Sequence, residues 1–183
     1  MWALVGRLLL VLAYYSVAGY LLYVLTDYLH RPSEEAGRLI VAVSLVGAAA
    51  ALAGAVVAGP LSDRLGRRKG LVMVSSLVIG VAVLLPALSA SGTALLLTGA
   101  LAGLGFGIYL SVDAALMTEV LPSDEDRGKD LGILNTANTG GQMLAPVVAS
   151  LTVATVGYRP LFVLAAAIAV ASALCIRPIR SVR

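Results

Sequence analysis

The chain has 183 residues, of which 60% are hydrophobic and only 13% are charged, and its mean hydropathy is +0.96. A water-soluble domain of this size could not bury so much apolar surface, so the composition indicates a protein embedded in lipid. The formal net charge of +3 is spread over segments between apolar runs and forms no basic face, which excludes a nucleic-acid partner. The single cysteine, Cys175, excludes an internal disulfide and a CxxC metal or redox site.

Six apolar runs are each close to the length of about 20 residues that a helix needs to cross a bilayer. The first run is too long, and too free of a small-residue cleavage site, for a secretory signal peptide, so we expect it to remain in the mature protein. The linkers are short and contain no low-complexity stretch, which predicts a single all-α transmembrane domain over 1–183. In chain order, the predicted spans are about 3–26, 37–58, 70–88, 94–121, 131–156 and 160–176.

Lys and Arg residues are distributed unevenly between the two sides of this predicted domain. Ten of the thirteen, Arg7 among them, fall on the side that holds both termini, whereas Arg31, Arg38 and Arg159 fall on the other. The positive-inside rule therefore predicts that both termini face the cytoplasm. The spans divide into two sets of three, about 1–88 and 94–183. A set with an odd number of spans ends on the opposite side of the membrane from its start, so the two sets are predicted to be inverted repeats of each other.

A charged segment over 59–69 separates the second and third predicted spans and carries four of the thirteen Lys and Arg residues. This segment resembles the cytoplasmic loop signature of the major facilitator superfamily, and it stands at the position in the chain which that family requires. Residues 118–122, 127–132 and Asn135 are similar to the connection between the fourth and fifth helices of one half of such a transporter. The signature Gly-x-x-x-Asp-Arg-x-Gly-Arg-Arg is matched by Gly59, Asp63, Arg64, Gly66, Arg67 and Arg68.

The resemblance implies a twelve-helix transporter that works by alternating access, of which this chain is one six-helix half. The short ending after the sixth span is most similar to the C-terminal half of a bacterial member. Eleven of the thirteen positive residues are Arg, which is typical of a GC-rich bacterial genome, so we expect a bacterial inner membrane. Six helices form one wall of a transport cavity, which predicts a second half as partner: the same chain in a homodimer, a separately encoded half, or the remainder of a longer chain.

The chemistry of the 59–69 segment agrees with a gate. Gly59 allows close approach of a neighbouring helix, and Gly66 permits a tight reversal between two helices. Asp63, the one acid among four cations, could cap the third span or face the positive end of a helix in the opposing half. The resemblance implies that this contact holds the cytoplasmic side closed. The alternative is a simple topology anchor, which explains the cations but needs neither the acid nor the spaced glycines. Glu119 and Arg127 are predicted to join a cytoplasmic charge network.

Asp113 is the one acid well inside an apolar run of the sequence. Burial of a carboxylate there costs several kcal/mol unless it is paired or protonated, and such a cost usually marks function. Tyr109 lies one turn earlier on the same helix face, where a phenol can hydrogen-bond either protonation state. We therefore predict that the two form a proton-coupling or substrate-binding site. The alternative is that Asp113 reaches cytoplasmic water or a loop arginine.

The fifth span carries a polar stripe of Asn135, Asn138 and Gln142 at helical spacing. Such a stripe cannot face lipid, so it is predicted to face a cavity or to hydrogen-bond with another helix. Amides suit a hydroxyl-rich or otherwise neutral polar solute. Tyr20 and Asp27 share a face that could line an outer vestibule.

The motifs of the sequence separate the possible classes of function. A GxSxG, an HExxH and a Walker loop are all missing and the chain has one His, so no enzyme activity, metal or cofactor is predicted. Overlapping GxxxG patterns at Gly99, Gly103 and Gly107 predict a close helix crossing. The favoured function is secondary active transport of a small solute, coupled to protons. The alternatives are a non-transporting subunit that stabilises another membrane protein, and a channel-like homodimer.

Overall fold

The computed structural model describes residues 2–65, 68–120 and 127–176. Within these ranges, the description leaves out the side chains of residues 3, 63, 65, 114–120, 127–131, 133 and 134. All regular elements of the described ranges are helices. They are α1 (Trp2–Ala18), α2 (Leu21–Tyr23), a π-helix (Val24–Tyr28), α3 (Ser33–Leu65), α4 (Arg68–Leu88), α5 (Gly92–Val120), α6 (Arg127–Val156) and α7 (Tyr158–Ile176).

Six segments of the described chain are long and apolar enough to cross a membrane, which confirms the predicted all-α membrane fold. A helix satisfies its own backbone hydrogen bonds, and no water is available in lipid to do so. α1, α2 and the π-helix together make the first span, and α3 to α7 make the second to the sixth. The membrane-competent stretches are Leu4–Tyr28, Ser33–Ser62, Arg68–Leu88, Gly92–Asp113, Asn135–Val156 and Tyr158–Ile176.

The first span is interrupted in its middle, whereas the hydropathy pattern predicts one continuous helix. α1 ends at Ala18, and the chain turns through Gly19 and Tyr20 before α2 begins. The Tyr20 N–H donates to the carbonyl of Val17 at 3.2 Å, a tightened closing turn. A Cβ on Gly19 would lie 2.9 Å from the backbone oxygen of Tyr15, so the turn requires glycine. The interruption places non-helical backbone within the predicted membrane depth.

Most of the 59–69 segment is helical, so its interpretation as a loop is wrong. α3 continues to Leu65 and α4 begins at Arg68, which leaves only residues 66 and 67 between them. Pro60 lies inside α3, where it removes one N–H and frees one carbonyl of the preceding turn. That carbonyl lies near the end of the span, where water can reach it, so the helix survives. Gly59 and Arg64 therefore lie on the last turns of a helix.

The helices pack in an order that repeats itself. α3 packs on α5, α5 on α4, α4 on α7, α7 on α1 and α1 on α6. When the first, second and third spans are exchanged with the fourth, fifth and sixth, the pair of α4 and α7 maps onto itself and each of the other four pairs maps onto another of the four. This is the arrangement of two inverted three-helix repeats.

The closest packing in this arrangement is the crossing of α3 and α5, as the glycine spacing predicts. A Cβ on Gly103 would overlap the backbone of Gly47, and a Cβ on Gly107 would overlap the backbone of Ala51. At Gly99 it would lie 2.9 Å from the carbonyl oxygen of Val43. The two backbones are therefore in direct contact, which only small residues allow.

Candidate functional site

Asp113 of α5 forms a buried ion pair with Arg7 of α1. An Nη of Arg7 lies 3.2 Å from a carboxylate oxygen of Asp113, and the two side chains are 18% and 5% exposed. Arg7 thus lies on a helix and neutralises a buried acid. It also remains one of the ten Lys and Arg residues counted on the side that holds both termini. Asp113 thus pairs with an arginine, as the alternative interpretation expects, but this arginine stands on another membrane span and not in a loop.

Tyr109 lies beside this pair, as the helical spacing predicts. Its side chain is 2% exposed, and its hydroxyl is close enough to Asp113 for the two groups to interact. The hydroxyl nevertheless completes no hydrogen bond within the described part of the chain, and neither does the buried Nε of Arg7. The cluster of Arg7, Tyr109 and Asp113 therefore holds two donors that could serve a further polar group.

Aromatic rings extend the contact between α1 and α5 toward the middle of the membrane. Tyr14 of α1 stacks on Phe106 of α5 with ring centroids 4.3 Å apart and planes 11° apart. Tyr15 meets Tyr14 edge-on at 5.1 Å. The sequence does not predict this stack, because neither ring belongs to a motif and the two are 92 positions apart.

A cavity of about 280 Å³ lies next to the stacked rings. The first, second and fourth spans contribute nearly all of its wall, and α4 adds one residue. Most of the wall is apolar, with hydroxyl groups from one Tyr, one Ser and one Thr. The lining residues are Tyr14, Val17, Ala18, Leu21, Val43, Ser44, Gly47, Ala48, Ala51, Val83, Leu95, Thr98, Gly99 and Ala102.

The polar stripe of α6 stands apart from this cavity. Asn135 and Gln142 are exposed and Asn138 is half-buried, and none of them lines the cavity. Tyr20 does not line it either; its ring packs on that of Tyr23 at 4.9 Å. The stripe and Tyr20, the residues predicted to face substrate, therefore do not line this cavity, and the stripe lies on the outer surface of the described six-helix unit.

The end of the first span opposite Arg7 is tied to two other spans. Tyr158 of α7 donates a hydrogen bond to the Asp27 carboxylate at 3.1 Å. Tyr28 donates to the carbonyl oxygen of Pro86 at 3.2 Å, and Arg159 donates to the Tyr28 hydroxyl at 3.4 Å. Asp27 thus joins helices, whereas the sequence analysis assigned it to a vestibule.

The residues of the 59–69 signature are only partly described. Gly59 faces its own chain, because a Cβ there would lie 3.2 Å from the Ser111 hydroxyl of α5. Arg64 is exposed and Arg68 is half-buried. Gly66, Arg67 and the side chains of Asp63, Glu119 and Arg127 lie outside the described residues.

Metal binding finds no support in the described ranges, where no group of three or more His, Cys, Asp and Glu side chains is placed to hold an ion. The described groups that carry polar chemistry are the buried Arg7, Tyr109 and Asp113 cluster, the cavity hydroxyls and the α6 stripe. The first of these places charged groups inside a multi-span membrane protein, which is the usual character of proteins that handle solutes or ions in membranes.

Comparison with known proteins identifies the family. The model of the Major Facilitator Superfamily matches residues 3–182, and the chain belongs to that family. A probable 4-methylmuconolactone transporter of Cupriavidus pinatubonensis is 42% identical over 99 residues, which are 53% of this chain and 22% of that protein. The multidrug resistance protein MdtG of Escherichia coli is 33% identical over 110 residues, which are 60% of this chain and 26% of that protein.

Solved structures of the family have the same fold. The inward-open xylose transporter XylE from E. coli superposes with a TM-score of 0.75 at 18% identity, over 99% of this chain and 47% of that one. The complex of XylE with 6-bromo-6-deoxy-D-glucose superposes with a TM-score of 0.74, over 99% of this chain and 44% of that one. The chain therefore spans about half the length of these transporters, and it has the fold of one six-helix half.

Proposed function

We propose that this chain is one half of a secondary active transporter that moves a small solute across a bacterial inner membrane by alternating access. The observation that carries the proposal is the ion pair of Arg7 and Asp113, buried between the first and fourth spans. A passive scaffold gains nothing from two charges that cost several kcal/mol to remove from water. A carrier can use them. When the carboxylate binds a proton it releases its arginine partner, and this exchange couples proton binding to a change between two arrangements of the helices.

The transport unit requires a second six-helix half, which is a second copy of this chain, a separately encoded half or a further part of a longer chain. The polar stripe on the exposed face of α6 supports this step, because amides are unfavourable against lipid. The alignment with about half of each solved transporter also supports it. In the assembled unit, both termini and the 59–69 segment face the cytoplasm, in accord with the positive-inside rule.

Proton-driven uptake tests the role of the ion pair. Liposomes that contain the chain, acidic outside, are expected to accumulate a solute of the kind named for one of its relatives, with radiolabelled 4-methylmuconolactone as the probe. Asp113→Asn should lose accumulation and keep downhill exchange, because the neutral amide releases no proton. Glu35→Gln, which changes an exposed acid, is the matched control. Accumulation by Asp113→Asn at the wild-type level would refute proton coupling through this residue.

The signature residue Asp63 is the second target for a transport assay. If its carboxylate holds the cytoplasmic side closed, Asp63→Asn should lower the uptake rate about tenfold at unchanged insertion, a loss of about 1.4 kcal/mol. Glu35→Gln, which makes the same change of charge at an exposed acid outside the segment, is the control. Equal uptake by Asp63→Asn and the wild type would leave the segment with the role of a topology anchor.

A non-transporting subunit that stabilises another membrane protein is the second candidate, since half-length coverage of the known transporters suits a subunit as well. Native mass measurement after mild detergent extraction separates the two. A defined complex of two six-helix units with gradient-driven uptake supports the carrier. A complex with a complete, separately active transporter supports the subunit.

A further inference from the structure

We propose that the cavity between the first, second and fourth spans binds an uncharged solute about the size of one aromatic ring that carries a hydroxyl or a similar polar group. As the substrate class of a carrier, this inference rests on the proposed function. As a statement about equilibrium binding, it depends only on the cavity.

The size of the cavity fits one ring. An apolar cavity of about 150 Å³ in a protein interior is enough to hold benzene, and this one has about 280 Å³. The wall residues of α3 extend from Val43 to Ala51, and those of α5 from Leu95 to Ala102. At a rise of about 1.5 Å per residue, these stretches are about 10 to 12 Å long. A substituted ring fits this height, whereas a lipid acyl chain extends over about 15 Å in one leaflet.

The wall that this chain supplies offers no counter-charge to an ionised solute. Among its fourteen residues there is no Lys, Arg, His, Asp or Glu, so an ionised ligand would lose its hydration without gaining a counter-charge. Tyr14 presents a ring that is held in place by its stack on Phe106, and aromatic surfaces of this kind favour a second ring at an offset or on edge.

Three hydroxyl groups add a limited polar capacity. Thr98 donates to backbone carbonyls at 2.8 and 3.0 Å, so its oxygen is left as an acceptor. Ser44 makes no hydrogen bond to any other described residue and can donate. The wall can thus pair one or two polar groups of a ligand, but not the many hydroxyls of a sugar. A sugar would leave several of its groups unsatisfied.

The position of the cavity matches a site that a transporter can open. Ala18 and Leu21 stand on either side of the interruption in the first span, and both line the cavity. Interrupted helices at mid-membrane depth are the usual builders of transporter binding sites. On the opposite wall, Gly47 and Gly99 lie at the α3–α5 crossing, where the lack of side chains leaves the volume free.

Equilibrium binding of p-cresol to the purified chain in detergent tests the inference, with radiolabelled p-cresol and equilibrium dialysis. We expect saturable binding to the wild type. Ala48→Leu should weaken it at least tenfold, because the larger side chain fills the cavity. Ala49→Leu is the matched control, since Ala49 is an exposed neighbour that does not line the cavity. Partition into detergent is the same for both variants and can be subtracted.

The probes define the class of ligand. Benzoate, which has the same ring with a negative charge, and D-xylose are expected to compete at least tenfold more weakly than unlabelled p-cresol. No saturable binding to the folded wild type, or equal binding to the two variants, would overturn the proposal. A co-purified lipid that p-cresol fails to displace would do so as well and would assign the cavity to an acyl chain. Binding without transport would instead refute the carrier and leave the site intact.

Discussion

Replacement of Arg7 by methionine is expected to destabilise the folded chain by about 2 to 4 kcal/mol. The change removes the counter-charge of Asp113, whose side chain is 5% exposed. Loss of one partner of a buried pair costs about 3 to 5 kcal/mol when both groups are fully buried. The expected cost is lower here because Arg7 is 18% exposed. Reversible unfolding in mixed micelles of dodecyl maltoside and SDS measures the change.

The two single variants should differ. Asp113→Leu leaves an unpaired guanidinium, but Arg7 stands only three residues from the start of the first span at Leu4, so its long side chain can turn toward the membrane surface. Asp113 has a short side chain on a buried face and no such route. The cost of Arg7→Met should therefore exceed that of Asp113→Leu, and the double variant should recover most of the loss, because it removes both charges.

The exposed pair of Arg38 and Glu34 provides the matched control. Its atoms are 2.6 Å apart, closer than those of the buried pair, but the side chains are 79% and 82% exposed. Exposed pairs contribute only about 0.2 to 1 kcal/mol, so Arg38→Met should have little effect. Equal costs for Arg7→Met and Arg38→Met, or a double variant as unstable as the sum of its singles, would contradict the interpretation.

The six spans could be predicted from the sequence because the bilayer imposes a simple physical rule. Backbone groups in lipid must pair within the segment, so apolar length alone locates a helix. Details that depend on local geometry could not be predicted in this way. The turn at Gly19 lies inside an apolar run and leaves the hydropathy unchanged, and the charges of 59–69 indicated a loop although α3 continues to Leu65.

The candidate site shows the same division. Asp113 could be found because a buried acid is costly wherever it stands in a span, and Tyr109 could be found because helical spacing is local. Arg7 could not be assigned as the partner, since 106 positions separate it from Asp113 and the positive-inside rule already explained its charge. The cavity could not be found at all, because its wall consists mostly of small and aliphatic residues such as Ala48 and Val83, which are common in every span.

Gly107→Ala is expected to destabilise the fold by about 2 to 3 kcal/mol, although alanine is the better helix former. The added methyl group would overlap the backbone of Ala51, so α3 and α5 must move apart. Overpacking of a rigid contact costs about 1 to 3 kcal/mol, and backbone atoms cannot yield as a side chain can. α3 packs mainly against α5, so separation removes the dispersion contacts that hold the second span, and lipid offers no hydrophobic force to replace them.

Gly132→Ala is the matched control and should have the opposite sign. Gly132 is an exposed glycine of α6 with no atom within 4 Å of its Cβ position, so the variant gains only helix propensity, up to about 1 kcal/mol. The same micelle unfolding measures both variants. If Gly107→Ala does not accumulate in the membrane, Gly99→Ala provides a milder test, because the nearest atoms to its added methyl group, Cγ1 and the carbonyl oxygen of Val43, lie 2.8 and 2.9 Å away and overlap less than the backbone of Ala51 does at Gly107. Stabilisation by both Gly107→Ala and Gly99→Ala would show that α3 and α5 are not in backbone contact.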